Sequence, residues 1–286
     1  MRPKRSTGNR MSRRELQGED LVHLAVFRLV RPKGFLYEAA AYIHNRNPTH
    51  PPYSKSQIYR AECRLGISRK VGSTTSDLAY LPVNIRKRTR YWNENYPDGI
   101  SGLSTEDVID IDEAKYKFES QNRKRGKTIR RKRVNARGKY KRGEEGTNLL
   151  MGISGSEQTP FSYHRMYSEG GTDLNRFYNF MVGFINYLDA NYPGRRFVFT
   201  MDNLNIHKHP MVLHLIQSHG HGIVFRAPYW SCDGAIEYVF NTIQTHLQMQ
   251  NRPVSTTAAL ENEINRIIGS MGSFKPYFLH VGFPDN

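Results

Sequence analysis

Apolar residues recur at helical spacing from Asp20 onward, with Leu21, Leu24, Phe27 and Val30 on one face until Pro32, Lys33 and Gly34 break the run. A second amphipathic segment runs from Leu36 to Arg46, with Ala39, Ala40 and Ile43 as its inner face and Asn47-Pro48 as its stop. A third begins at Ser54, whose hydroxyl and the Gln57 carboxamide have capping-box spacing, and extends through Leu65 to Gly66. Its expected inner positions are Ile58, Ala61 and Leu65, which leaves Lys55, Gln57, Tyr59, Arg60 and Arg64 facing outward. Before these helices, residues 1–18 are basic, polar and aperiodic, and read as a disordered arm. After them, residues 71–104 show no sustained period and read as a linker.

From Val108 the period changes. Short β-type runs fall at residues 108–112, 148–153, 161–167, 197–201 and 222–225. Between the third and fourth, Asp173 is placed to cap a helix carrying Leu174, Phe177, Met181, Phe184 and Leu188 at helical spacing. A further helix is expected between the fourth and fifth runs, and a last one from Gly234 presenting Ile236, Phe240, Ile243 and Leu247. Three strands in succession followed by strand–helix alternation predict an α/β domain over residues 105–286, with a mixed sheet covered by helices, preceded by an all-α unit over 19–70.

Charge adds a partner to this picture. The chain of 286 residues carries a net +16, and the surplus is confined to its front: residues 1–142 hold 33 basic and 14 acidic side chains, the remainder 9 and 12. A field of that size and asymmetry favours a polyanion, and an exposed basic helix in a small three-helix unit suits the major groove of duplex DNA. A solvated basic face on an ordinary bundle is the bland alternative. No apolar run is long enough for a signal peptide or a membrane span, so a soluble, non-secreted protein without a membrane partner is expected. Cys63 and Cys232 are far apart and form no disulfide framework or zinc spacing.

Carboxylates then stand where strands end. Asp112 closes the first strand, Asp202 the fourth, and Glu237 opens the helix after the fifth. Loops at one edge of an open α/β sheet bring such residues together. Three carboxylates gathered there repel one another unless a cation intervenes, and an all-oxygen donor set selects Mg²⁺ or Mn²⁺. Taken singly, a strand-end aspartate more often accepts backbone hydrogen bonds, and a first-turn glutamate more often offsets the helix dipole. Asp110 shares the strand face of Asp112 and is an equal candidate on these grounds.

The segments Asp112-Glu113, Met201-Asp202-Asn203-Leu204-Asn205-Ile206-His207, and Pro228-Tyr229 through Ile236-Glu237 resemble the three catalytic signatures of the mariner superfamily of DDE transposases. In that family an Asp-Glu pair ends the first strand, an Asp-Asn-x-x-x-His segment the fourth, and an Ile-Glu pair supplies the third carboxylate. The 34 residues between Asp202 and Glu237 match one branch. The resemblance extends from about residue 20 to 282. It implies a ribonuclease-H-like fold and a helix-turn-helix unit. It also implies strand cleavage and strand transfer at transposon ends, with two Mg²⁺ or Mn²⁺ ions held by Asp112, Asp202 and Glu237. It thereby selects Asp112 over Asp110 and makes Glu113, Asn203 and His207 supporting residues.

The implied partner is double-stranded DNA, both terminal inverted repeats and target. Lys55, Gln57, Tyr59, Arg60, Arg64, Arg69, Lys70, Arg86, Lys87, Arg88, Arg130, Arg131 and Arg133 are the candidate DNA contacts. A homodimer is compatible with the family, as is a nuclear location in a eukaryote or a nucleoid one otherwise. Two readings follow: an active transposase, or a non-catalytic DNA-binding descendant of one. The chain departs from the family between Tyr229 and Ile236, where Trp230-Ser231-Cys232-Asp233-Gly234-Ala235 replaces the usual Ser-Pro and Asn-Pro, so Asp233 is a competing metal ligand. There is also room for only one helix-turn-helix before residue 70.

Two other features carry less. Histidines 207, 209, 214, 219 and 221 are clustered in sequence but lack a zinc spacing. Residues 123–142 hold twelve Lys or Arg, a density suited to phosphates, to an import signal or to a solvated hairpin.

Overall fold

The computed structural model describes residues 15–32, 34–49, 51–68, 75–122, 146–250 and 254–285, and the chain divides between residues 74 and 75 into two units. In the first, helices α1 (Glu19–Val30), α2 (Leu36–Arg46) and α3 (Lys55–Arg64) enclose Leu24, Phe27, Ala39, Ala40, Ile43, Ile58 and Ala61. Ser54 and Gln57 form the capping box at the start of α3. Two expectations on the inner faces are corrected. Val30 is 69% exposed and Leu65 40%, because polar pairs take the inward places instead. Buried Asp20 accepts hydrogen bonds from the Tyr53 hydroxyl and from Asn47 Nδ2 at 3.2 Å, and Glu62 accepts from Arg28 Nε at 2.6 Å. The supposed arm is also ordered near its end: Leu16 is fully buried in this core, and Arg64 donates to its carbonyl at 2.7 Å. The rest of that arm, residues 1–14, lies outside the described residues.

In the second unit, the segment read as a linker contains helix α4 (Pro82–Asn93), whose Tyr91 is buried in the core. Its sequence is polar enough to hide the period, but Pro82 occupies the first turn, where its missing N–H costs nothing. The sheet comprises β1 (Val108–Lys117), β2 (Gly146–Ser154), β3 (Ser162–Tyr167), β4 (Val198–Met201) and β5 (Gly222–Phe225), in the order β3-β2-β1-β4-β5. β1, β2 and β3 pair antiparallel, while β1–β4 and β4–β5 are parallel. This is the mixed, ribonuclease-H-like sheet.

Alternation along the strands decides what lies on each face. Ile109, Ile111, Phe199 and Met201 pack with Phe177, Phe180, Phe184 and Leu188 of α5 (Leu174–Asn191) and with Val212 and Ile216 of α6 (Pro210–Ser218). A Cβ at Gly152 would collide with the Phe184 ring, so glycine there lets α5 sit close on the sheet. Val108, Tyr116 and Val224 turn the other way, toward α7 (Ala235–Met249), α8 (Thr257–Ser270) and α9 (Lys275–Val281). These last two helices extend beyond the final helix expected from the sequence. Asp110 and Asp112, two residues apart on β1, therefore project under α7, the helix that carries Glu237.

Candidate active site

Parallel pairing of β1 with β4 sets Asp110 opposite Thr200, two residues before Asp202. The Thr200 hydroxyl donates to Asp110 Oδ1 at 2.8 Å, and the backbone N–H of Ile236, in the first turn of α7, donates to Asp110 Oδ2 at 3.0 Å. Asp110 thus joins β1, β4 and α7. From the end of β5, Arg226 enters the same space, 1% exposed, with Nη1 paired to Asp110 and Nη2 donating to Asp112 Oδ2 at 2.5 Å. The other oxygen of Asp112 accepts from the Glu113 N–H at 2.8 Å. A cation does intervene among the carboxylates, as their repulsion requires, and it belongs to the protein.

The unusual loop before α7 accommodates this arginine. A Cβ on Gly234 would come within 2.7 Å of Arg226 Nη1, and a guanidinium pinned by two carboxylates has little room to yield. The rest of the loop is secured by α4: Arg88 donates to both Asp233 oxygens at 2.7 Å, and its guanidinium lies 4.0 Å from the Trp230 ring. Asp233, the other candidate metal ligand, is buried and paired with Arg88. Arg88, one of the expected DNA contacts, is held by Asp233 and Trp230, with its side chain 37% exposed.

Burial pushes the Asp112 pKa up to about 7; Arg226 and the Glu113 N–H act against this, while the charges of Asp202 and Glu237 reinforce it. Burial raises Glu237 as well, opposed by Arg226 and assisted by Asp110 and Asp202. These couplings place the three predicted carboxylates in one another's field. Asp202 is held differently. Burial would raise its pKa, but His207, with Nδ1 2.7 Å from Oδ1, and the Leu204 N–H at 3.1 Å outweigh it and bring it below the ordinary value.

His207 is fully buried against Phe177, with Nε2 3.6 Å from Glu113 Oε2. Burial disfavours its charge, yet Asp202 and Glu113 raise its pKa to about 9. A histidine raised in the folded state stabilises fully below its unfolded pKa and loses that contribution as pH climbs through the folded one. Metal-free protein is therefore expected to lose roughly 2 kcal/mol between pH 7 and 9, after discounting for solvent at Asp202, and His207→Gln is expected to remove that dependence. Urea unfolding at successive pH values measures it. A parent curve that is flat over this window counts against a charged His207. Asp112 contributes with the same sign but at lower pH, since a raised carboxylate also loses stability as pH rises toward 7.

The supporting residues occupy the same end of the sheet. Asn203 donates through Nδ2 to the Arg226 carbonyl, tying the Asp202 loop to β5. Glu113 Oε2 is buried without a hydrogen-bond partner among the described residues. The other histidines disperse: His209 caps α6, His219 stands 2.8 Å from Asp189, and buried His221 accepts from the Phe197 N–H. Among the described residues no three His, Cys, Asp or Glu side chains stand at metal-binding spacing. The donor chemistry nonetheless fits a hard divalent cation: the three predicted ligands offer carboxylate oxygens only, with Asp112 and Glu237 raised by burial and by neighbouring carboxylates.

No protein-family model and no curated protein sequence matches the chain significantly. Solved structures do. The Mos1 transposase paired-end complex with left transposon end superposes with a TM-score of 0.60 at 13% identity, covering 98% of this chain and 78% of that one. The fold is that of the Mos1 mariner transposase. The Mos1 mariner paired end complex with Mn gives 0.60 at 14% identity over the same shares, and the Mos1 catalytic domain 0.50 at 15%, covering 74% of this chain and 91% of that one.

Of the candidate DNA contacts, Lys55 and Tyr59 are exposed on α3 and Arg60 is half-buried. Gln57 gives its oxygen to the Ser54 N–H at 2.8 Å, and Arg64 pairs with Glu15 at 2.9 Å, so both are partly spent within the unit. Arg86 and Lys87 are exposed on α4. Arg69, Lys70, Arg130, Arg131 and Arg133, with the tract 123–142, lie outside the described residues. Sequence reasoning missed Arg226. Its signal was a lone arginine inside the otherwise apolar run Ile223–Pro228 at a strand end.

Proposed function

We propose that this protein is a mariner-type DNA transposase that binds duplex DNA through its three-helix unit and cleaves and joins strands with Asp112, Asp202 and Glu237. One observation carries the reading: these three carboxylates come into one another's electrostatic field at one end of a sheet with the Mos1 fold. Mos1 structures hold a transposon end, Mn or Mg. The same partners and cofactors are proposed here: terminal inverted repeats and target DNA, and a pair of Mg²⁺ or Mn²⁺ ions, with Asp112, Asp202 and Glu237 as the ligands. When bound, such a pair activates the attacking water or 3′-hydroxyl and offsets charge on the leaving oxygen. Asp202 stays ionised at neutral pH because His207 supports it. Glu113 and Asn203 hold the surrounding backbone and charge in place. A homodimer and a nuclear site of action in a eukaryotic host belong to the same proposal.

A second reading, a non-catalytic DNA-binding descendant, draws on the hold that Arg226 has on Asp112. Incubating the full chain with its terminal-repeat duplex and either Mg²⁺ or Mn²⁺ separates the two. Specific nicking supports the transposase, and specific binding without any cleavage supports the descendant.

For the DNA-binding unit, Arg60→Ala is expected to reduce discrimination between terminal and random duplex, and Lys55→Ala to weaken both alike and lower the salt slope by about one. Anisotropy titrations at several salt concentrations measure both. Equal losses on the two duplexes for Arg60→Ala would remove α3 from the groove.

A further inference from the structure

Arg226 is the largest fully buried side chain among the described residues, and its pKa is raised further by Asp110 and Asp112 despite the cost of burial. Two arginine–aspartate systems of this unit, one with a part-exposed arginine and one with a buried one, differ. Arg88 places Nε and Nη2 on the two oxygens of one aspartate, the bidentate arrangement that suits a structural pair. Arg226 instead spans two carboxylates, Nη1 to Asp110 and Nη2 to Asp112, and its Nε has no partner among the described residues.

The two carboxylates are not equivalent. Asp110 is fixed by Thr200 and by the Ile236 N–H as well as by Arg226. Asp112 has the Glu113 N–H and Arg226. The guanidinium is therefore anchored on Asp110, and its second arm rests on Asp112, the more loosely held of the pair.

We propose that Arg226 is a positioning residue and internal counter-cation, which holds Asp112 in the metal-free protein and competes with the divalent ion for that carboxylate. This rests on Asp112 being a metal ligand. Its consequence is a metal affinity lower than the carboxylates alone would provide, and a site that stays assembled without metal.

The test uses the full chain without DNA, titrated with Mn²⁺ and followed by electron paramagnetic resonance of the free ion. The double variant Asp110→Asn/Arg226→Met removes one charge of each sign, so the net charge of the site is kept while the competition is removed. Its Mn²⁺ Kd is expected to fall about tenfold, the scale of one charge-assisted hydrogen bond. Arg226→Lys keeps a cation for Asp110 but loses the fork that spans both carboxylates, and a fall of several-fold is expected. Thermal unfolding in chelator establishes that each variant is folded.

In the parent, the ¹⁵N resonances of the Arg226 guanidinium are expected to shift on adding Mg²⁺, a readout that needs no substitution. Unchanged or weaker Mn²⁺ binding in the folded variants, or guanidinium resonances indifferent to Mg²⁺, overturns the inference. A parent that binds no Mn²⁺, or binds it equally well after Asp112→Asn, overturns the metal-ligand reading itself. Asp112-dependent binding that is indifferent to Arg226 overturns this inference alone.

Discussion

Asp112→Asn, Asp202→Asn and Glu237→Gln are each expected to lower metal-dependent cleavage of a terminal-repeat duplex by at least about a thousandfold, while affinity for that duplex in chelator stays near that of the parent. An amide keeps the shape of the side chain and removes the anionic ligand. Folding should survive at all three positions. At Asp112 the amide oxygen still accepts from Arg226 Nη2, which keeps its ion pair with Asp110. At Asp202 the amide oxygen replaces the carboxylate as partner of the Leu204 N–H. Glu237 lies in the first turn of α7 and is half-buried, so its replacement forfeits a favourable helix-dipole term of about 0.3–1 kcal/mol. Cleavage products quantified on gels, with anisotropy in chelator as the binding control, decide the matter. Retained cleavage in any one variant removes that residue from the site, and loss of DNA binding in step with cleavage indicates a folding defect instead.

Asp110→Asn is expected to destabilise the protein by about 3 kcal/mol, because removing one partner of a buried ion pair leaves the other charge uncompensated in a medium that solvates it poorly. The sequence makes Asp110 look like a spare neighbour of Asp112. The structure makes it a junction of β1, β4, α7 and Arg226, so it cannot serve as a silent control for the catalytic substitutions. Arg226→Met should cost a similar amount by stranding Asp110, whereas the double variant should cost less than the sum of the two, the signature of a coupled pair. Urea unfolding in chelator completes the cycle. Additive single costs would mean that Asp110 and Arg226 do not act together in solution.

Local patterning determined much of this protein. The starts and ends of α1, α2 and α3 follow from Pro32-Lys33-Gly34, Asn47-Pro48 and the Ser54–Gln57 capping box, which are short-range steric and hydrogen-bonding effects. The five strands followed from alternation and β-branched content, and the positions of Asp202 after a strand and Glu237 in a first helical turn were legible in the same way. Asp112, expected to close the first strand, instead lies inside β1, which runs on to Lys117 because its pairing with β2 continues that far. The helix α4 was not, since its face is mostly polar and it is stabilised by what it meets: Tyr91 in the core, and Arg88 against Trp230 and Asp233, about 140 residues away along the chain.

Only the tertiary structure decided that Asp110 is a junction, that Asp233 is committed to Arg88, and that Arg226 is the cation among the acids. An arginine in an apolar run reads as an exposed edge residue or an error of pattern. Its burial becomes affordable only when β1 and β5, which are not neighbours in the sheet, direct opposite charges into one space beneath α7. Desolvation and its compensation are properties of residues more than a hundred positions apart, and no local period encodes them.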